Sequence, residues 1–169
     1  PYDPTGDFLS LYKDTEFPHR TASPQELENQ PKMHQQLRQS MIDFNIDSVA
    51  WRENLTDEDI QLLHRYYAAN VSMIDSQVGQ IMTALEKRGY LDNTIIIATS
   101  DQGMPFPYVK GQIYDEDFHE AFVVRWGDKI IPGRVVTDFI NFPDVAPTLL
   151  EAAGLKPDKQ MTGKSFLDA

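Results

Sequence analysis

Between Thr56 and Gly89 the chain carries one long amphipathic pattern. Leu63, Tyr67, Val71, Ile74, Val78, Ile81 and Leu85 recur at three- and four-residue spacing and form a single apolar stripe. Thr56 is a good helix N-cap, and Asp57, Glu58 and Asp59 suit the positive end of the helix dipole. Lys87 and Arg88 favour the last turn, and Gly89 supplies the stop. About 31 residues at 1.5 Å each make a rod of roughly 45 Å. An apolar stripe of that length has to cover one face of something large.

The rest of the chain supplies candidates for that surface. "TIIIATS" (Thr94 to Ser100) is apolar without alternation, the pattern of a strand buried on both faces of a parallel sheet. "EAFVVRW" (Glu120 to Trp126) reads as a second such strand. "GRVVTDFI" is either a shorter third strand or a connection, and Pro143 to Ala153 reads as a helix ending at Gly154. The first ~23 residues are a proline-rich ordered loop with at most a helical turn. A helical pattern runs from the Ser23-Pro24 start to about Phe44, with an interruption at Pro31, and "NIDSVAWRENL" is a connector. The tail from Leu155 is loop. Helix, buried strand, loop, strand, helix is an α/β pattern, expected as a mainly parallel sheet flanked by helices.

Composition narrows the function. The net charge of −11, from 26 acidic against 15 basic residues, repels polyanions, and no basic patch offsets it. Nucleic acid is therefore not an expected partner. No apolar run approaches the ~18 residues of a membrane span. The absence of cysteine removes disulfides, thiolate zinc sites and a cysteine nucleophile from these 169 residues. The chain opens without methionine at "PYDPTGDF", which suggests that upstream sequence is missing.

In open α/β sheets, ligands sit beyond the carboxyl ends of the strands. Asp101 falls there, directly after "IIIATS", followed by Gln102 and Gly103. Two readings stand side by side: Asp101 caps a turn through its own side chain, or Asp101 and Gln102 present oxygens to a cation. A carboxylate with an amide carbonyl suits Ca²⁺ or Mg²⁺ better than zinc, but two ligands cannot hold a cation alone. Lys110, before Gly111, is either a surface lysine or a clamp for an anionic substrate group. His19, His34, His64 and His119 read as packing or surface histidines. "TGKS" (Thr162 to Ser165) is not a phosphate loop, because Asp158 stands where that motif needs glycine. Asn54-Leu55-Thr56 and Asn70-Val71-Ser72 match the glycosylation sequon, the second inside a helix.

Four blocks in order resemble the sulfatase family of the alkaline-phosphatase-like superfamily. They are "YYAANVSMIDSQVGQIMTALEKRGYLDNTIIIATSDQG", "KGQIYDEDFHEAFVVRW", "TDFINFPDVAPTLLEAAGL" and "MTGKSFLD". The opening "PYDPTGDFLSLYKDTEFP" also looks like the loop that follows a histidine in many sulfatases, and "DQGMPFP" is closest to the heparan N-sulfatase branch. The resemblance implies that Asp101 and Gln102 occupy two calcium-ligand positions, with Gln102 replacing the usual Asn or His. It places Lys110 at the sulfate-binding position. In the family, a formylglycine made from Cys or Ser in a C/S-x-P-x-R stretch attacks sulfur, and a histidine protonates the leaving group. Neither that stretch, nor the N-terminal aspartate pair of the calcium site, nor that histidine is found here, so no catalytic residue is expected within this chain.

The expectation is thus an internal to C-terminal fragment of a sulfatase catalytic domain, inactive alone. Residues 1–55 form a loop and helical segment, and 56–169 the long helix, the strands and the C-terminal helix. The nucleophile region and the smaller C-terminal subdomain lie outside it. The implied partners are a sulfated small molecule or glycan and the remainder of the sulfatase chain. A periplasmic, secreted or lysosomal-type compartment is suggested by the resemblance alone. One alternative is a phosphodiesterase or phosphonate monoester hydrolase of the same superfamily. The other is a non-catalytic interaction module with a degraded metal site, towards which Gln102 leans.

Overall fold

A computed structural model describes residues 3–18, 23–44, 55–104, 110–111 and 114–168. The expectations for His19, for Asn54, for most of the "NIDSVAWRENL" connector and for the later part of "DQGMPFP" lie outside these residues. The chain divides into two compact units, Pro1–Asp128 and Lys129–Ala169.

The described helices and strands of the first unit are α1 (Gly6–Ser10), α2 (Pro24–Glu28), α3 (Lys32–Asp43), α4 (Asp57–Lys87), a 3₁₀ turn (Leu91–Asn93), β1 (Ile96–Thr99), α5 (Asp115–Phe118) and β2 (Phe122–Arg125). Pro31 separates α2 from α3 as its sequence position requires, since it cannot donate into a preceding helical turn. Ser23 and Glu26 form a capping box at the start of α2, and Thr56 and Asp59 form one at the start of α4. Each such cap contributes about 1 kcal/mol.

The 31-residue helix α4 organises the unit. Gln61 accepts from the Phe17 amide and donates to the Phe17 carbonyl, both at 2.8 Å, satisfying both backbone groups of one residue with a single side chain. Arg65 Nε donates to the Thr15 carbonyl at 3.1 Å, and Tyr12 and Ser72 share a 2.6 Å hydroxyl pair. His64 stacks on Phe17 with centroids 5.5 Å apart. The N-terminal segment is thereby strapped along the helix. Leu27 and Leu63 form the buried cluster, packed by Met41, Ile42, Leu55 and Tyr67.

Burial along α4 is uneven. Ile60, Leu63 and Ala69 are buried, whereas Val71, Ile74 and Ile81 are half or more exposed. The stripe read from the sequence is real, but this chain covers chiefly its first half.

β1 and β2 pair antiparallel, in the register Ile96↔Arg125 to Thr99↔Phe122. The α/β class stands, and among the described residues its one strand pair runs antiparallel, where each strand alone reads as part of a mainly parallel sheet. An apolar run records how a strand is covered, not which way its neighbour runs. Nor is β1 covered on both faces here, because Ala98 and Thr99 are exposed. At the far end of β2, Arg125 donates to the Leu91 carbonyl at 2.9 Å. A Cβ on Gly127 would come within 2.3 Å of the Asp92 carbonyl, so the strand ends pressed against the 3₁₀ turn.

The second unit is built on α6 (Phe142–Ala152). Among its described residues "GRVVTDFI" forms no strand, which leaves the connection reading. Pro147, inside the helix, is fully buried and has no N–H to give the Pro143 carbonyl. The tail closes on this helix. A Cβ at Gly163 would lie 2.0 Å from the Pro143 oxygen. The Lys164 and Phe166 amides donate to Asp144 Oδ1 (2.7 Å) and Thr148 Oγ1 (3.0 Å). "TGKS" is therefore a docking strap, which agrees with its rejection as a phosphate loop.

Candidate functional site

β1 ends at Thr99, and the chain bends through Ser100, Asp101 and Gln102. Ser100 Oγ donates to the Gln102 carbonyl at 2.8 Å, so the serine closes the turn. Among the described residues, no hydrogen bond or ion pair engages the exposed Asp101 carboxylate. The turn-capping reading of Asp101 therefore has no bond to rest on. Gln102 is half-buried beside it.

Gly103 follows because nothing larger fits. A Cβ there would stand 2.2 Å from the Glu116 carbonyl oxygen and 3.1 Å from the Asp117 Cα, both backbone atoms of α5. The Gly103 amide donates to Asp117 Oδ1 at 3.1 Å, and the Gly111 amide donates to Asp117 Oδ2 at the same distance. Gly111 takes a left-handed φ of 73°, which suits glycine. One carboxylate thus ties together two points eight positions apart in sequence. One lies two residues beyond Asp101, and the other directly follows the half-buried Lys110.

The same loop is held from the other side by Tyr114. Gln30 Nε2 donates to the Tyr114 hydroxyl at 2.8 Å, and His34 Nδ1 lies 3.3 Å from it with the rings edge to face. His34 is buried and serves this packing, as a structural histidine should. His64 is likewise in a packing role on Phe17, and burial lowers its pKa from 6.5. His119 caps the C-terminal end of α5. Asn70 donates from its side-chain amide to the Tyr66 carbonyl at 3.0 Å, so the helical sequon is engaged within α4.

Three residues singled out from the sequence, Asp101, Gln102 and Lys110, therefore fall on one connection between β1 and β2. Asp117, which joins the two arms of that connection, is not marked by the sequence pattern. It stands within the acidic run Asp115–Glu116–Asp117, where composition offers no way to tell a clamp from a solvated face. Among the described residues no group of three or more His, Asp or Glu side chains could hold a metal ion. The exposed Asp101 carboxylate and the Gln102 amide next to it in sequence are both hard oxygen donors by type.

Comparison with solved proteins bears on the fold. The chain superposes over 99% of its length on 44% of a protein solved in complex with its substrate D-glucosamine-2-N,6-O-disulfate, with a TM-score of 0.72 at 21% identity. It also matches 33% of a phosphonate monoester hydrolase from Silicibacter pomeroyi, with a TM-score of 0.71 at 22% identity over 95% of this chain. These likenesses show the fold alone, a mixed α/β architecture shared with both proteins.

Sequence gives the family. The sulfatase family model matches residues 11–155, and the chain belongs to that family. It is 36% identical to an ulvan-active sulfatase of Formosa agariphila over 73% of this chain and 20% of that protein. It is 34% identical to an N-acetylglucosamine-6-O-sulfatase of Bacteroides thetaiotaomicron over 60% of this chain and 19% of that protein. A choline-sulfatase of Rhizobium meliloti matches at 31% over 92% of this chain and 29% of the relative. The chain thus spans a fifth to under a third of the relatives it matches.

Proposed function

We propose that the full-length protein containing this chain hydrolyses sulfate esters of a sulfated glycan. The observation that supports this most is the Asp117 bridge. It joins the two arms of the loop on which the exposed Asp101 carboxylate, the Gln102 amide and Lys110 stand, in a chain of the sulfatase family. Several relatives are named for sulfated-glycan substrates, which favours that class over other sulfate esters.

Asp101 and Gln102 would hold Ca²⁺, which when bound supplies positive charge for the sulfate oxygens. Gln102 keeps the amide oxygen of the usual Asn but carries it one methylene further out. Lys110 binds a sulfate oxygen and offsets negative charge that grows as the S–O bond breaks. The formylglycine nucleophile and the histidine that protonates the leaving group belong to the protein outside residues 1–169, so these residues alone are inactive. The remainder of the sulfatase chain would cover the open half of α4.

Calcium titration of the full-length protein tests this reading, with Asp101→Ala as control. Calcium should raise both the melting temperature and hydrolysis of a sulfated glucosamine, and the substitution should abolish both responses. Lys110→Ala should lower kcat/KM by about a hundredfold. If neither stability nor activity responds to calcium, the reading is wrong and the interaction-module alternative gains. The phosphonate hydrolase neighbour favours a second assay. Turnover of a phosphonate monoester in preference to the sulfate ester would move the protein to that activity.

A further inference from the structure

The Asp117 carboxylate accepts the Gly103 amide on one oxygen and the Gly111 amide on the other, each at 3.1 Å. We propose that Asp117 is a positioning residue, which sets the placement of Lys110 relative to the Asp101–Gln102 pair. This deepens the sulfatase reading and rests on it for the roles of those three residues. It does not rest on it for the bridge itself.

The argument is geometric. A carboxylate has two oxygens held rigidly apart, so it fixes two amide donors relative to each other as well as to itself. Here the donors belong to the two arms of one loop. Gly103 is further constrained, because its Cα lies against the Glu116 carbonyl, at a distance that excludes any side chain. Gly103 and α5 therefore move as one body, and Asp117 extends that body to Gly111. Lys110 shares a peptide bond with Gly111, so its backbone is placed by the same carboxylate.

Asparagine cannot replace aspartate fully, since its amide nitrogen donates and cannot accept from a second N–H. Alanine removes both bonds. The loss should resemble that of an outer-shell partner in a metal or anion site, about ten- to a hundredfold in activity.

The test uses the full-length protein with Asp117→Ala, Asp117→Asn, Lys110→Ala and the Asp117→Ala/Lys110→Ala double variant. Steady-state hydrolysis of 4-methylumbelliferyl sulfate and hydrogen exchange at the Gly103 and Gly111 amides are the readouts. Asp117→Ala should deprotect both amides and lower kcat/KM about ten- to a hundredfold, with Asp117→Asn intermediate. On the Lys110→Ala background the same change should cost much less, because the group it positions is gone. Losses that simply multiply in the double variant overturn the positioning role, as does unchanged protection of both amides in Asp117→Ala. An unsubstituted protein that turns over no sulfate ester refutes the sulfatase reading instead, and hydrogen exchange still decides whether the bridge exists.

Discussion

Asp117 and Asp144 each spread one carboxylate over two backbone amides, Gly103 and Gly111 in the first unit, Asn141 and Lys164 in the second. Each also sits beside a glycine pressed onto helix backbone, Gly103 on Glu116 and Gly163 on Pro143. The mechanical device is the same. What differs is what hangs from it. The Asp117 bridge holds a loop that carries the exposed Asp101 carboxylate and Lys110, whereas the Asp144 bridge holds a tail to a helix start and ends there. A bidentate aspartate is thus a general way to fasten irregular backbone, and becomes part of a site only through the residues next to its donors.

The sharpest way to break this contrast is to disturb both glycines. Gly103→Ala places a Cβ against a backbone carbonyl at 2.2 Å, which no rotamer change relieves. It should cost about 1–3 kcal/mol of stability and remove most sulfate-ester turnover from the folded fraction. Gly163→Ala meets backbone at 2.0 Å and should destabilise the protein comparably. Its effect should stop at stability, with kcat/KM per folded molecule unchanged. Equal losses of turnover from both variants, at matched folded fraction, would erase the distinction.

A smaller effect follows from charge. The Lys164 amide, and after it the Asn141 amide, hold the Asp144 carboxyl below its ordinary value of 3.8. A depressed folded-state pKa gives stability that is present above the unfolded value and lost as pH falls through the folded one. Asp144→Asn should therefore lower the melting temperature at neutral pH and flatten its decline below about pH 4. Acid melts of the two proteins that stay parallel contradict the bridge.

The smallest expected change concerns His64, whose pKa burial lowers from 6.5. Its neutral form is favoured in the folded protein, so stability is fully present above that value and falls as pH drops below it. His64→Phe keeps the ring on Phe17 and removes the titration. The melting temperature of the variant should vary less than that of the parent between about pH 7 and 5. An unchanged slope would mean that His64 is solvated in solution.

Much of this was legible in the sequence. Thr56 and the acidic first turn placed the start of α4, Gly89 its end, and Pro31 the break between α2 and α3, because caps and prolines act locally. Asp101 and Gln102 were marked by strand-end position and, with Lys110, by resemblance; that all three lie on the β1–β2 connection follows from sequence order once the two strands are placed. Strand direction was not legible, since an apolar run such as "IIIAT" carries no record of its partner. Nor was the work of Asp117, whose significance lies in two amides fourteen and six positions away. The exposed Ile74 and Ile81 show the converse, a pattern that states its need for cover without saying what provides it.

The antiparallel pairing of β1 with β2 has a further consequence. Thr99 faces Phe122 in the register, so the whole connection 100–121 leaves and returns through one closed gate of the ladder. Asp101, Gln102, Lys110 and Asp117 all lie inside that excursion. Its entropy of closure grows only logarithmically with length, and each internal tie divides the circuit into smaller ones. These residues therefore form a cassette, contiguous in sequence and anchored at two neighbouring points. Such a segment can be lengthened, shortened or exchanged between relatives while the hairpin that carries it stays in register.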